Sequence, residues 1–453
     1  MDILTQLFFY FEYIFWFLLV FTIIVFIHEF GHFYVARLNK VKVDKFSVGF
    51  GPAILKFKDS RKTIWQVCLI PLGGYVKFAG EMYPEKESNK DDENSRDLFM
   101  NKTSLQKASI VLAGPFANFI LGIILFIIIF VAFGKNYTPP IIGNIESNSP
   151  SEIAGFLKND KILEINKEKI NSFEDIYNIL DDNLYEQINF QIERNNKVYY
   201  LDVHPEIKTI NTFIGSEREI NYLGINPIFP PLIKKVLEDS PANKAGLKSK
   251  DKILEIDSVK VKDIEEVISI IEISANQNLN FLVIRDNKYL NINIIPENIL
   301  TKDGKEKGRI GIIFSKERKK INFLQAIAAS LNNFFTISYK TLIAFSEIIF
   351  GKRDHCEVGG PILIAKVSND VASQDLISFM SLVALISINL GLINLFPLPL
   401  LDGGHFFTYM YEFINKKKVT KVFYKYFQTI GLFIIISLMF FSVFNDIYCR
   451  VLN

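Results

Sequence analysis

The sequence predicts a polytopic α-helical membrane protein of four spans, with a small β-hairpin insert and two tandem α+β domains. Three observations predict it. Uncharged apolar runs recur along the chain, strand-like segments separate the first two of them, and one block of sequence occurs twice. The 453 residues leave room for two to four units, and 49% hydrophobic residues beside 22% charged ones suit membrane segments joined to soluble domains. Mean hydropathy is +0.21, high for a soluble chain. With 51 basic against 49 acidic residues there is no global field to attract nucleic acid, so the expected medium is the lipid bilayer.

The first span, in region 1–38, is the uncharged run 13–27, which leads directly into HEFGH at 28–32. No Lys or Arg precedes it and no small-residue cleavage site follows, so it reads as a span, not a signal peptide. The second, in region 105–134, is the run 108–133; the third, in region 376–405, is 376–401; the fourth, in region 428–447, is 429–445. Fourteen Lys and Arg lie in residues 33–107 and none in 1–27, while KKK, Lys421 and Lys425 precede the last span. Both basic loops are therefore expected in the cytoplasm, and residues 135 to 375 on the outer face. Residues 321–339 are also uncharged, but Gln325, Asn332, Thr336, Lys340 and Glu347 recur at helical spacing. That stripe predicts interfacial amphipathic helices over 319–375.

Within the insert, 39–104, FSVGFGPAILKF, TIWQVCLI and GGYVKFAG alternate like strands around the turn KDSRK. An exposed edge there could pair with an extended peptide, or the sheet could merely pack against the spans. Residues 81–97 are acidic and polar and read as a solvated loop. Further on, residues 149–176 realign on 240–267 at a constant offset of 91, matching Ser-Pro, Ala-Gly and DKILEI. Two copies of one small domain are thus expected, at 135–210 and 220–298. The three cysteines are far apart and read as free thiols.

Two of only five histidines stand four apart in HEFGH. At i and i+4, His28 and His32 share a helix face and can bind one ion through imidazole nitrogens. Catalytic zinc takes three protein ligands, lowers the pKa of a water to about 7, and needs a carboxylate to receive the proton, which Glu29 can supply. Buried at the end of a span, these groups would be costly without a bound partner. The third ligand is sought in NLFPLPLLDGGH, 394–405. Pro397 and Pro399 should unwind the third span there, Asp402 offers an oxygen ligand with His405 as rival, and Asn394 could hold a substrate backbone or an oxyanion. AGPFANF, 113–119, suits close helix packing, with a site role for Asn118 as the lesser reading. His355–Cys356 and His204 are weak candidates.

Together HEFGH, GFGP with IPLGGYVKF, AGPFANF, the doubled repeat and NLFPLPLLDGGH resemble the bacterial site-2 protease family, in its regulator of sigma-E protease branch with tandem PDZ domains. The resemblance covers nearly the whole chain. It implies one Zn2+ per chain on His28, His32 and Asp402, and a catalytic Glu29. It also implies substrate-unwinding and substrate-binding roles for Asn394, Pro397 and Pro399 and a substrate-binding strand at Gly73, Gly74, Tyr75, Val76 and Lys77. Intramembrane hydrolysis of single-span substrates would follow, such as anti-sigma factors after a first cut and remnant signal peptides. The implied location is the bacterial inner membrane, with the catalytic site near the cytoplasmic side and periplasmic PDZ domains. If the repeats are PDZ-like, as the resemblance implies, backbone donors at Leu223, Gly224 and Ile225 could receive a C-terminal carboxylate. A membrane-anchored PDZ scaffold would need no intact metal set, and a membrane zinc protease of non-transmembrane chains would need no unwound span.

Overall fold

The computed structural model describes residues 3–80, 97–182, 184–211, 217–300, 306–315, 317–351 and 359–449. His355, Cys356 and nearly all of the acidic loop lie outside the described residues. The chain forms two compact units, Met1–Phe133 with Ile321–Asn453, and Gly134–Lys320.

The first unit opens with helix α1 (Ile3–Leu38), followed by strands β1 (Val43–Lys58) and β2 (Ile64–Phe78) and helix α2 (Ser104–Phe133). Both strands are long and strongly bulged, so the hairpin curls. The first half of β1 pairs with both ends of β2 (Phe46 with Val76 and with Trp65), and the second half pairs with the start of β2. Segment 74–78 is consequently an edge, with no other described strand beside it. Trp65 packs against Phe33, Phe46 and Phe57 and ties the sheet to α1.

In the second unit each repeat has the same parts. The first contains α3 (Pro150–Ile153) and α4 (Phe173–Asp182), with strands Lys161–Ile165, Ile188–Arg194 and Lys197–Val203; the second contains α5 (Pro241–Lys244) and α6 (Ile264–Ile273), with strands Lys252–Ile256, Leu279–Arg285 and Lys288–Ile294. Arg194 bonds the buried Asp160 at 2.7 Å, and Arg285 bonds the buried Asp251 at 2.6 Å, the same fastening 91 residues on. The expected limits 135–210 and 220–298 each leave out the strand that closes the repeat. Ile225–Pro227 pairs with Ile142–Ile145 and closes the first repeat, and Ile312–Ser315 pairs with Leu232–Val236 and closes the second. Leu223–Gly224–Ile225 therefore belongs to the first repeat. Gly224 has φ +74 and lies so close to Ser149 that a Cβ would meet it at 2.3 Å; Gly311 stands in the same way against Ser240. The loop Ile310–Gly311–Ile312 is thus the second repeat's counterpart, hidden from the sequence comparison because it lies 87 residues on, not 91.

The chain returns to the first unit with α7 (Phe323–Ile349), α8 (Pro361–Ala372), α9 (Leu376–Asn394), α10 (Asp402–Asn415) and α11 (Lys421–Ile447). Four described helices are long and apolar enough to cross a membrane: Phe11–Leu38, Ser104–Phe133, Leu376–Asn394 and Val422–Ile447. α7 is not among them. Asn322 and Gln325 form its capping box, and its apolar stripe, including Ala326, Ala329 and Phe334, packs with residues of α2 and α9. α2 is central. A Cβ at Gly31 would meet Ala113 O of α2 at 2.3 Å, and one at Gly122 would meet Ile388 of α9 at 2.5 Å, so small residues set both helix contacts. The region 376–405 is divided: α9 stops at Asn394, residues 395–401 are irregular with Leu400 at φ +74, and a new helix starts at Asp402. One expectation about the cysteines is corrected. Cys68 is a buried free thiol, but Cys449 is disulfide-bonded, a pairing that spacing alone did not reveal.

Candidate metal centre and active site

His28 and His32 lie on α1 where α2 crosses it, and Asp402 is the first residue of α10. The break after Asn394 lets α10 start at the depth of the two imidazoles. Its tight packing, with Gly403 against the carbonyls of Leu395 and Phe396, leaves no room for a side chain at that position. His28 Nε2 is 3.1 Å from Asp402 Oδ2, His32 Nε2 is 3.5 Å from Asp402 Oδ1, and the two Nε2 atoms are 3.2 Å apart. A tetrahedral ion with bonds of about 2.0–2.1 Å spaces its ligand atoms about 3.4 Å apart. The three groups therefore fit zinc. They are the His/Cys/Asp/Glu group among the described residues whose ligand atoms converge, all within 4.8 Å of one another.

Two further observations support the fit. Asp402 Oδ2 is buried and makes no hydrogen bond of acceptable geometry among the described residues, despite its closeness to His28, as suits an oxygen reserved for a cation. A Cβ at Gly114 would stand 2.3 Å from His32 Nε2 and 2.8 Å from His28 Cε1, filling the space the three ligands face. The glycine of AGPFANF thus keeps that space open, a role not read from the sequence.

The outer nitrogens fix the tautomers. His32 Nδ1 donates to Ile110 O at 2.8 Å, leaving Nε2 with its lone pair toward the cluster. His28 Nδ1 faces the Asn118 amide at 3.2 Å, and Asn118 is fully buried with Oδ1 unpartnered. Once His28 Nε2 binds an ion, Nδ1 carries the proton. The amide must then present its oxygen, not its nitrogen, to Nδ1. Ser387 of α9 bonds Asn118 O at 2.8 Å and holds that stretch of α2. Asn118 is thus a second-layer partner of His28. We expect Asn118→Ala to weaken zinc binding by about 10–100-fold while Asn118→Asp, which keeps an acceptor, retains most of it. Competition against a zinc chelator measures both.

A cavity of about 410 Å³ lies over the cluster, lined among others by Glu29, Tyr75, Val76, Asn394, His405 and Tyr424. Glu29 sits between the cluster and the edge strand: a Cβ at Gly74 would stand 3.1 Å from Glu29 Cγ. Asn394 Nδ2 comes within 3.5 Å of His28 Nε2. His405 lines the cavity but is not one of the converging three; its Nδ1 lies 3.2 Å from the Tyr424 hydroxyl. Pro397 and Pro399 do not line the cavity. Pro397 is exposed and Pro399 is buried against Gly431 of α11. Gly73 packs on Phe50 and Lys77 is exposed, so Gly74, Tyr75 and Val76 are the parts of that strand nearest the site. His204 is held at the surface by Glu186 O, 2.9 Å away.

Residues 16–438, nearly the whole chain, match the model of Peptidase family M50. The chain belongs to peptidase family M50. A Rickettsia conorii protein named as a zinc metalloprotease is 32% identical over 434 residues, 95% of this chain and 97% of its own. The regulator of sigma E protease of Haemophilus influenzae is 31% identical over 444 residues, and that of Escherichia coli K12, RseP, 29% over 442; each alignment covers 95% of this chain and 97% of the relative. Among solved structures, the PDZ domain of an SdrC-like protein from Listeria innocua aligns with 20% of this chain and 97% of its own at 27% identity, with a TM-score of 0.17. This M50 chain is a site-2-type zinc metalloprotease with zinc as its cofactor, and it is a membrane protein.

Proposed function

We propose that this M50 enzyme hydrolyses peptide bonds inside the membrane spans of single-span proteins. The observation that carries the reading is the placement of the His28, His32 and Asp402 cluster within a bundle of apolar helices, beside a strand edge that no other described strand covers. In this reading those three residues hold the zinc. Bound there, it would supply a Lewis acid for the scissile carbonyl and lower the pKa of the attacking water. Glu29 takes the proton from that water and returns it to the leaving nitrogen. The edge at Gly74, Tyr75 and Val76 binds an extended substrate as an added strand, which requires a span to unwind, since a helix has already used its own backbone groups. Asn394 donates to the substrate carbonyl as it gains charge. Pro397 and Pro399 act indirectly, by ending α9 so that Asp402 and Asn394 meet the histidines.

The finer features belong to the same proposal: four spans, both termini outside, the site near the cytoplasmic side of a bacterial inner membrane, and two PDZ-type repeats in the periplasm. The Lys and Arg of residues 33–107 support that orientation. The candidate substrates are anti-sigma factors after a first cut and remnant signal peptides, in keeping with the names of the RseP-type relatives.

We assign the repeats to size exclusion. They enter the chain between the second and third apolar spans, and each folded unit of roughly a hundred residues has a radius of gyration of about 13 Å. A bulky ectodomain would clash with such units where a trimmed stub would not. In-frame removal of residues 136–297 is expected to let the enzyme cut substrates with intact outer domains while stubs are still cut. A folded, zinc-bound deletion variant that refuses the intact substrates contradicts exclusion, and loss of stub cleavage from a substitution at Gly224 alone favours peptide capture.

A further inference from the structure

The loop that joins α10 to α11 separates two cavities and carries a run of lysines that the proposed chemistry does not use. α10 ends at Asn415 and is capped by Lys416 at φ +54, the chain turns through Lys417 and Lys418, and Thr420 caps α11, its hydroxyl accepting from Phe423 N at 3.3 Å. On one side of this loop is a cavity of about 540 Å³ whose walls are mainly the rings of Phe407, Tyr411, Phe423 and Phe427, with Lys417 and Lys418 at its rim. Phe407, Tyr411 and Phe423 are all exposed. The charge around the rim is unbalanced. Glu412, the nearby acid, accepts the Val419 N–H at 3.1 Å, and neither Lys417 nor Lys418 forms an ion pair among the described residues. Lys418 also lines the second cavity, of about 390 Å³, together with a further cation, Lys107.

The rim and the walls differ in their relation to the membrane. Lys417 and Lys418 precede the apolar helix Val422–Ile447, whereas Phe423 and Phe427 lie within it. Cations at the end of a span and rings inside it match one molecule whose phosphate stays at the interface while its chain enters the hydrocarbon. We propose that this cavity binds an anionic phospholipid, with its phosphate on Lys417 and Lys418 and an acyl chain against Phe407, Tyr411 and Phe423. A free phosphate would satisfy the lysines and leave the rings wet; a zwitterionic lipid would cover the rings but bring its own cation to the rim. Charge and apolar surface together select the anionic lipid.

The test uses the delipidated full chain in detergent, with phosphatidylglycerol and phosphatidylcholine of identical chains added separately and retention read by native mass spectrometry. The expected result is a preference of about tenfold or more for phosphatidylglycerol. K417Q/K418Q should remove that preference with zinc content unchanged, F407A/F423A should lower retention of both lipids, and glycerol phosphate should not compete at matched concentration. Equal retention of the two lipids by the unaltered chain overturns the proposal, a comparison that requires no variant to fold. So does a preference that survives K417Q/K418Q. Competition by glycerol phosphate at parity would make this a soluble-anion site and equally overturn it.

Discussion

Glu29→Gln is expected to leave the protein folded and zinc-bound while lowering turnover by about 10²–10⁴-fold, the range that a positioned general base contributes. The substitution preserves shape. The carbon beside Gly74 is unchanged, so the strand edge has no reason to move. Only the ability to take a proton from water is lost. Cleavage of a membrane-span reporter, measured alongside zinc content, separates chemistry from folding. Turnover at the unaltered rate with zinc present would remove Glu29 from the role of base.

The second large effect concerns the distant ligand. Asp402→Ala is expected to lower zinc affinity by at least about 100-fold and activity with it, because two imidazoles alone leave the coordination incomplete. His405→Ala should retain zinc. His405 lines the same cavity, but its Nδ1 faces Tyr424, and it stands outside the three converging residues. X-ray absorption of the zinc-loaded protein checks the ligand set, with nitrogen and oxygen at about 2.0–2.2 Å and no sulfur. Zinc retained by the Asp402 variant and lost from the His405 variant would exchange the two roles.

These residues were legible to different degrees, for physical reasons. His28 and His32 could be read from spacing alone, because i and i+4 share a helix face whatever the tertiary structure. Asp402 could be named because two prolines and two glycines mark a backbone break beside a lone carboxylate. Asn118 was visible as a polar residue whose site role was the lesser reading, and Gly114 only as a small residue in a span. That one faces His28 and the other keeps the ligand space clear depends on how α1 crosses α2, which no local pattern encodes. The repeat was plain where DKILEI recurs, yet its closing strand was missed, since the second copy is four residues shorter before Gly311. α7 shows the same limit: its stripe was readable, but its length and its packing against α2 and α9 are tertiary facts.

The proposed activity is tested most directly by locating the scissile bond. A single-span substrate lacking its outer domain, reconstituted with the enzyme in liposomes and analysed by mass spectrometry of the products, is expected to be cut within its apolar run, with no cleavage after chelation and recovery on adding zinc. Cleavage confined to polar flanks or to soluble chains, with the span left intact, would contradict an intramembrane site.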